Sequence, residues 1–259
     1  MAITSESAIS WSNNKPVWDF TKTAAYPIQI QQSGKTPTVY VYMTPYTPEE
    51  LKDVLKKALS GYKREKRDVE LVREDKSIYT PLCDAHFVKL GNATGTPEAQ
   101  KAWLDKRPEL KPDFVEHTFG GLRMDLPKEE DEGGMLDIGL ELSGEILIYQ
   151  DIYDEITDKV VRVDMKHKFS QPSESQYRKY RGARRNKFLG KKTLWTVSEE
   201  HGLLEKLYGE VVDEIEGGAV NGLPCSSGSG KAEWIKHVPL WHKLFVVDQI
   251  FGEIVEKNG

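Results

Sequence analysis

VVRVDMKHKFSQPSESQYRKYRGARRNKFLGKK, residues 160–192, runs a short alternating strand into a Ser/Pro turn and then into a strongly basic helix. The alternation of Val161, Val163 and Met165 with Arg162, Asp164 and Lys166 has the two-residue period of a strand with one wet face. Gln171-Pro172-Ser173-Glu174-Ser175 then has the chemistry of a helix start. The same order occurs earlier in the chain. Val39-Tyr40-Val41-Tyr42-Met43 leads through a turn to Thr47-Pro48-Glu49-Glu50-Leu51 and a helix. Two copies of strand, Pro-started helix and second helix point to an α+β protein of two duplicated units, with mixed or antiparallel sheets and flanking helices.

Working outward, Tyr26–Gln31 and Thr38–Met43 alternate as strands around a Gly34-Lys35 turn. Thr47 and Glu50 form a capping box, and Leu51, Val54, Leu55, Ala58 and Leu59 share the face of the helix that follows. Asp68–Arg73 is expected as a strand. Helices are expected to open at Thr80-Pro81, stopped by Gly91-Asn92, and at Thr96-Pro97-Glu98, with Pro108 and Pro112 as breaks. Val115–Met124, Leu136–Leu142 and Glu145–Gln150 look extended. Leu203, Leu204, Leu207, Tyr208, Val211, Val212 and Ile215 make one apolar helical stripe, and Pro239 opens a last helix. The expected organisation is an extended arm over 1–24, a unit over 25–124, an acidic linker over 125–134 and a second unit over 135–259.

The 259-residue chain carries a net charge of -5, with 38% apolar and 30% charged residues. Its mean hydropathy is -0.56. It has no apolar run of membrane-spanning length and no signal-like start, which suggests a product of the host cytoplasm with no membrane partner. Cys83 and Cys225 are expected as free thiols. Charge is divided along the chain: Asp125–Asp158 holds twelve acids and one base, whereas Arg162–Lys192 holds eleven bases and two acids. Such blocks can pair between copies of a protein or with a neighbour. Arg178, Lys179, Arg181, Arg184, Arg185 and Lys187 are the expected partner-binding residues. With Tyr177, Tyr180 and Phe188 among them, nucleic acid is a further possible ligand. Trp11, Trp18, Trp195, Trp234 and Trp241 are candidate interface anchors. Gly228-Ser229-Gly230-Lys231 lacks the spacing of a phosphate loop and reads as a linker, and His237 and His242 do not make a zinc motif.

Two resemblances follow. Asp151, then Asp164-Met165-Lys166 thirteen positions on, resembles the PD-(D/E)xK nucleases, and Gln176-x-x-x-Tyr180 resembles the extra motif of their RecB-like branch. That resemblance implies Mg²⁺ held by Asp151 and Asp164, with Lys166 orienting a water. A strand that alternates with charge and a helix that is polar nearly all round depart from that fold. The second resemblance rests on His167, Phe169, Pro172, Glu174, Tyr177, Tyr180 and Arg181, on Leu207-Tyr208, and on Val238-Pro239, His242-Lys243 and Val247. Over Val160–Glu256 these are similar to small tail-assembly proteins of tailed bacteriophages and prophages. It implies a non-enzymatic part, without cofactor, in the tail or neck of a virion, acting through protein subunits of the same or another kind. The added N-terminal half fits a permanent virion component better than a chaperone.

Overall fold

The computed structural model describes residues 7–30, 36–60, 62–65, 68–71, 76–120, 144–184, 186–188, 194–197, 200–226 and 230–256. The segment from 7 to 24, expected as part of an extended arm, instead folds on its own chain as a hairpin of β1 (Ile9–Ser12) and β2 (Lys15–Asp19). Asn13 and Asn14, at φ 49° and 61°, make its turn. Asparagine tolerates that left-handed region better than most side chains.

The first unit opens with β3 (Ala24–Gln29) and β4 (Thr38–Met43), paired Gln29 to Thr38 through Ala24 to Met43. Helix α1 (Pro48–Ser60) starts at the expected box: Thr47 N–H donates to Glu50 Oε2 at 2.9 Å and Glu50 N–H to Thr47 Oγ1 at 3.3 Å. The hairpin β5 (Tyr62–Glu65) and β6 (Asp68–Leu71) comes next, then α2 (Thr80–His86) and β7 (Phe87–Gly91), which pairs with β4. Helix α3 (Pro97–Asp105) is capped by Thr96. Helix α4 (Leu110–Gly120) replaces the extended segment expected from Val115. Pro112 sits in its first turn, where no N–H is required, and Phe114, Val115 and Thr118 are buried together at helical spacing.

The second unit repeats that succession. Strands β8 (Gly144–Asp154) and β9 (Lys159–Phe169) form a long hairpin. Helix α5 (Glu174–Ala183) starts at a capping box of Ser173 and Gln176. The short strands β10 (Asn186–Phe188) and β11 (Leu194–Val197) are followed by α6 (His201–Val211). Strand β12 (Val212–Val220) pairs with β9 as β7 pairs with β4. The apolar stripe expected to stay helical to Ile215 therefore changes period at Val212, where β-branched residues meet an open strand edge. Strand β13 (Leu223–Cys225), α7 (Lys231–His237) and α8 (Leu240–Glu256) complete the described chain.

The fold is thus mixed α+β, with sheet orders β1-β2-β12-β9-β8, with β13 on β12, then β3-β4-β7, and β10-β11-β5-β6. One continuous core joins both units and the N-terminal hairpin. The expected linker, 125–134, lies outside the described residues. Each unit buries one lysine of its last helices against an acid of its second helix. Lys111 Nζ lies 2.5 Å from Asp84 and 2.7 Å from Asp105, and Lys243 Nζ lies 2.6 Å from Glu205. Lys52 of α1 meets the same Glu205 at 2.5 Å and so ties the first unit to the second.

Gly217 decides how the largest sheet is assembled. Pairing with β9 ends at Glu216 opposite Lys166, and β12 then pairs in parallel with β2 at Gly218 and Ala219. At φ +84° a Cβ on residue 217 would stand 2.0 Å from the Asp164 carbonyl oxygen. Gly217→Ala should cost about 3 kcal/mol, measured as a lower urea midpoint, because both the backbone region and the space exclude a side chain. An unchanged midpoint would show that the strand can leave β9 without this glycine.

Candidate functional site

Along β8 and β9 side chains alternate between two environments. Ile148, Gln150, Ile152 and Asp154, with Val163, Met165 and His167, are buried, whereas Arg162 and Asp164 are exposed and Asp151 and Lys166 half-buried. The register sets Asp151 opposite Arg162 and Asp164 opposite Tyr149, so Asp151, Asp164 and Lys166 share the wet face. There Arg162 Nε donates to Asp164 at 2.7 Å while its guanidinium lies 3.5 Å over the Tyr149 ring. Lys166 meets Glu145 at 3.1 Å and Glu216 at 4.0 Å, and Lys168 pairs with Glu214 and Glu216. These are exposed cross-strand ion pairs, individually weak but collectively matched.

Gln176 and Tyr180 lie on the opposite side of the sheet. Gln176 accepts from Ser173 N–H at 2.7 Å, which closes the cap of α5, and donates to Glu210 of α6 at 3.1 Å. Tyr180 stacks on Phe251 of α8 and donates to Asp248 at 3.0 Å. Helix α8 packs on β8 and α6 on β12, and Tyr208 of α6 meets His167 on the buried face of β9. The five residues of the nuclease resemblance are therefore divided by the sheet, and no group of three His, Cys, Asp or Glu among the described residues is placed to hold a metal ion.

The basic helix is similarly engaged with its own chain. Arg178 pairs with Glu174 at 3.1 Å, Lys179 with Glu210 at 3.0 Å and Arg184 with Asp248, while Arg181 points to solvent. Arg185 and the Lys187 side chain lie outside the described residues, as does the Trp195 side chain. Trp18 and Trp234 are core residues, and Trp11 is the exposed one among the named tryptophans whose side chains are described. Lys231 opens α7 and pairs with Asp213 at 2.9 Å. Cys83 and Cys225 are free and buried, and burial pushes both thiols up to about 12.

Two features escaped the sequence. One is a groove of about 640 Å³ in the first unit, walled by Ile30, Val39, Leu90, Trp103 and Leu110, with Asn92 at its rim. The other is a buried polar cluster beneath β9. His167 Nε2, both ring nitrogens of His242 and the Tyr208 hydroxyl are buried with no hydrogen-bond partner. His242 is enclosed by Trp18, Phe20 and Trp241 at ring distances of 5.4, 5.8 and 5.9 Å. Burial pushes His167 down to about 4, and burial, assisted by the neighbouring His167, holds His242 well below the ordinary histidine value. Lone histidines in a sequence of this kind carry no spacing that signals such a cluster.

Comparison with protein-family models, curated proteins and solved structures gives no match to this chain.

The histidines imply an acid-sensitive fold. Unfolded, each titrates near its ordinary value of 6.5. Below that pH the unfolded chain takes up protons that the folded chain excludes, so stability is complete above 6.5 and falls as pH falls toward 4. Each histidine should contribute a slope of about 1.4 kcal/mol per pH unit. Urea midpoints between pH 7 and 5 measure it, and His242→Phe should remove one histidine's share; an equally steep slope in that variant would reject the assignment.

Proposed function

We propose that this chain is a non-enzymatic structural or assembly component of a tailed phage or prophage virion, placed in the tail or neck and working through contacts between protein subunits. The observation that carries this reading is the chemistry of the hairpin tips. Ile156 at the β8–β9 turn is 74% exposed, Leu223 at the β12–β13 turn 71% and Trp11 in the N-terminal hairpin 47%. Large apolar side chains kept in water at the ends of rigid hairpins suit contact with another protein.

Trp11 and Ile156 belong to one tip. Trp11 Nε1 donates to Asp154 at 3.1 Å, and Ile156 N–H donates to the same carboxylate at 3.2 Å. Ser7 and Thr157 complete its shell at 3.2 and 2.8 Å. Burial would raise the Asp154 carboxyl, but these donors hold it below the ordinary value. The tip is thus a rigid platform. Beside it, the alternating charges of the wet sheet face offer a partner both signs, which favours register over raw affinity. The residues behind the tail-protein resemblance support the same reading by what they touch: His167, Tyr177, Tyr180, Tyr208, His242 and Lys243 all pack or pair inside the second unit.

Among the described residues no helix is long and apolar enough to cross a membrane. Purified chain should associate with itself or with isolated tails in a concentration-dependent way. Ile156→Asp and Leu223→Asp together should weaken that association about tenfold without lowering the urea midpoint. Sedimentation across a salt series reads both effects. Duplex DNA with Mg²⁺ should stay intact; cutting that disappears in Asp164→Ala would replace this reading with the nuclease.

A further inference from the structure

We propose that Thr44 is an acyl-accepting nucleophile: its hydroxyl, backed by His86 and Glu50, takes a small acyl group from an activated ester or thioester. The modification is stoichiometric and needs no turnover, so it stands independently of any place in a virion.

The three side chains meet at the end of a sheet. Strands β4 and β7 pair as far as Met43 opposite Phe87, which sets Thr44 and His86, the residues just beyond, side by side. Thr44 N–H donates to the His86 carbonyl at 3.0 Å and fixes that approach. Thr44 Oγ1 lies 2.9 Å from His86 Nδ1, with the His86 carbonyl a weaker alternative at 3.5 Å. On the other side of the ring, His86 Nε2 lies 3.1 Å from Oε2 of Glu50, in the first turn of α1. That carboxylate also accepts from the Thr47 N–H at 2.9 Å and the Thr47 hydroxyl at 2.7 Å. Burial would raise the Glu50 carboxyl, but the Thr47 donors and His86 hold it below the ordinary value, so it is ionised at neutral pH.

An ionised carboxylate only accepts hydrogen bonds, so it selects the tautomer of the neutral ring. Nε2 carries its proton toward Glu50, and Nδ1 presents a lone pair to the Thr44 hydroxyl. Nucleophile, base and orienting acid within hydrogen-bond reach of one another are what activates a hydroxyl. The cap of α1 explains the bonds between Thr47 and Glu50, but it requires neither His86 nor Thr44.

The surroundings supply room for a small acyl group and donors for its oxygen. Thr44 and Tyr46 of the first unit, with Trp18 and Trp241, belong to the wall of a cavity of about 20 Å³. The indole N–H groups of Trp18 and Trp241 are buried and have no hydrogen-bond partner among the described residues. Buried donors are rarely left so, and a carbonyl oxygen is the acceptor they lack. The cavity holds little more than a water-sized group, which restricts the acyl group to formyl or acetyl. Exposed Pro45 and His237 belong to the same wall, so the cavity lies next to the surface.

In the reaction, Thr44 Oγ1 forms its bond to the acyl carbon as its proton passes to His86 Nδ1. The carbonyl oxygen takes the negative charge, which the indole donors stabilise. Collapse of the tetrahedral adduct breaks the bond to the leaving oxygen or sulfur, which departs with the electron pair and takes the proton from Nδ1. Glu50 is a positioning residue and keeps its charge throughout.

The probe is p-nitrophenyl acetate. Incubated with the full chain it should leave an acetyl group on Thr44, located by fragmentation mass spectrometry. Thr47, whose hydroxyl meets the same carboxylate without a base, should stay unmodified. Thr44→Val should abolish the label, Thr44→Ser should retain it, and His86→Ala should slow it at least about a hundredfold. Glu50→Gln keeps the shape of the cap and should slow labelling about tenfold at an unchanged urea midpoint, a rate effect that a purely structural bond would not give. The octanoate ester should react at Thr44 far more slowly, because the cavity excludes its chain. No acetyl on Thr44, labelling of Thr44 no faster than of Thr47, or equal labelling in His86→Ala overturns the proposal. An ordered water joining the two indoles of a chain whose Thr44 resists the reagent assigns the cavity to solvent and equally overturns it.

Discussion

Glu205 is held between two lysines from opposite halves of the molecule, and the relative placement of the two units depends on it. Lys243 is fully buried, so its ammonium is tolerated only because a carboxylate meets it in that position. Burial lowers the lysine below its ordinary value while Glu205 works in the other direction. Glu205 in turn is lowered by Lys243 and Lys52 against the effect of its own burial. A charge pair of this kind does not add much net stability. Its consequence is positional, because a shift of α6 against α8 strands a charge in the core.

The joint continues into aromatic packing. Tyr46 and Phe119 of the first unit meet Trp241 of the second at 5.7 and 4.9 Å, and Tyr40 stacks on Tyr153 at 3.8 Å. The same lysine-to-acid device stays internal in the first unit, where Lys111 meets Asp84 and Asp105. The repeated units are therefore alike in construction but unequal in use. One turns its buried pair toward its neighbour and opens an edge of β12 to the N-terminal hairpin; the other keeps its pair to itself and closes the equivalent edge of β7 with β4.

Much of the local structure was legible in the residues. The Thr47–Glu50 box, the alternation of β4 and β9, the Thr96 cap and the start of α8 after Pro239 all follow from short-range geometry. The misreadings have one cause. Val115 reads as extended and Val212 as helical because β-branched residues fit either state, and the choice depends on what lies across from them. For Val212 that is β9, more than forty residues earlier in the chain. The candidate site followed the same rule: the spacing of Asp151, Asp164, Lys166, Gln176 and Tyr180 was readable, but nothing local says that a sheet separates the first three from the last two.

The sequence by itself determined the α+β class, the doubled order of strand and helix, the starts of most helices and which residues of β9 face water, since these depend on side-chain period and capping chemistry within a few residues. Only the tertiary structure decided that the N-terminal segment closes onto β12 at Gly218 and Ala219, that Lys179 and Arg184 are engaged by Glu210 and Asp248, and that Tyr208 meets His167 in the core. Those outcomes are contacts between residues far apart in the chain, fixed by the burial of surfaces that no local pattern pairs in advance.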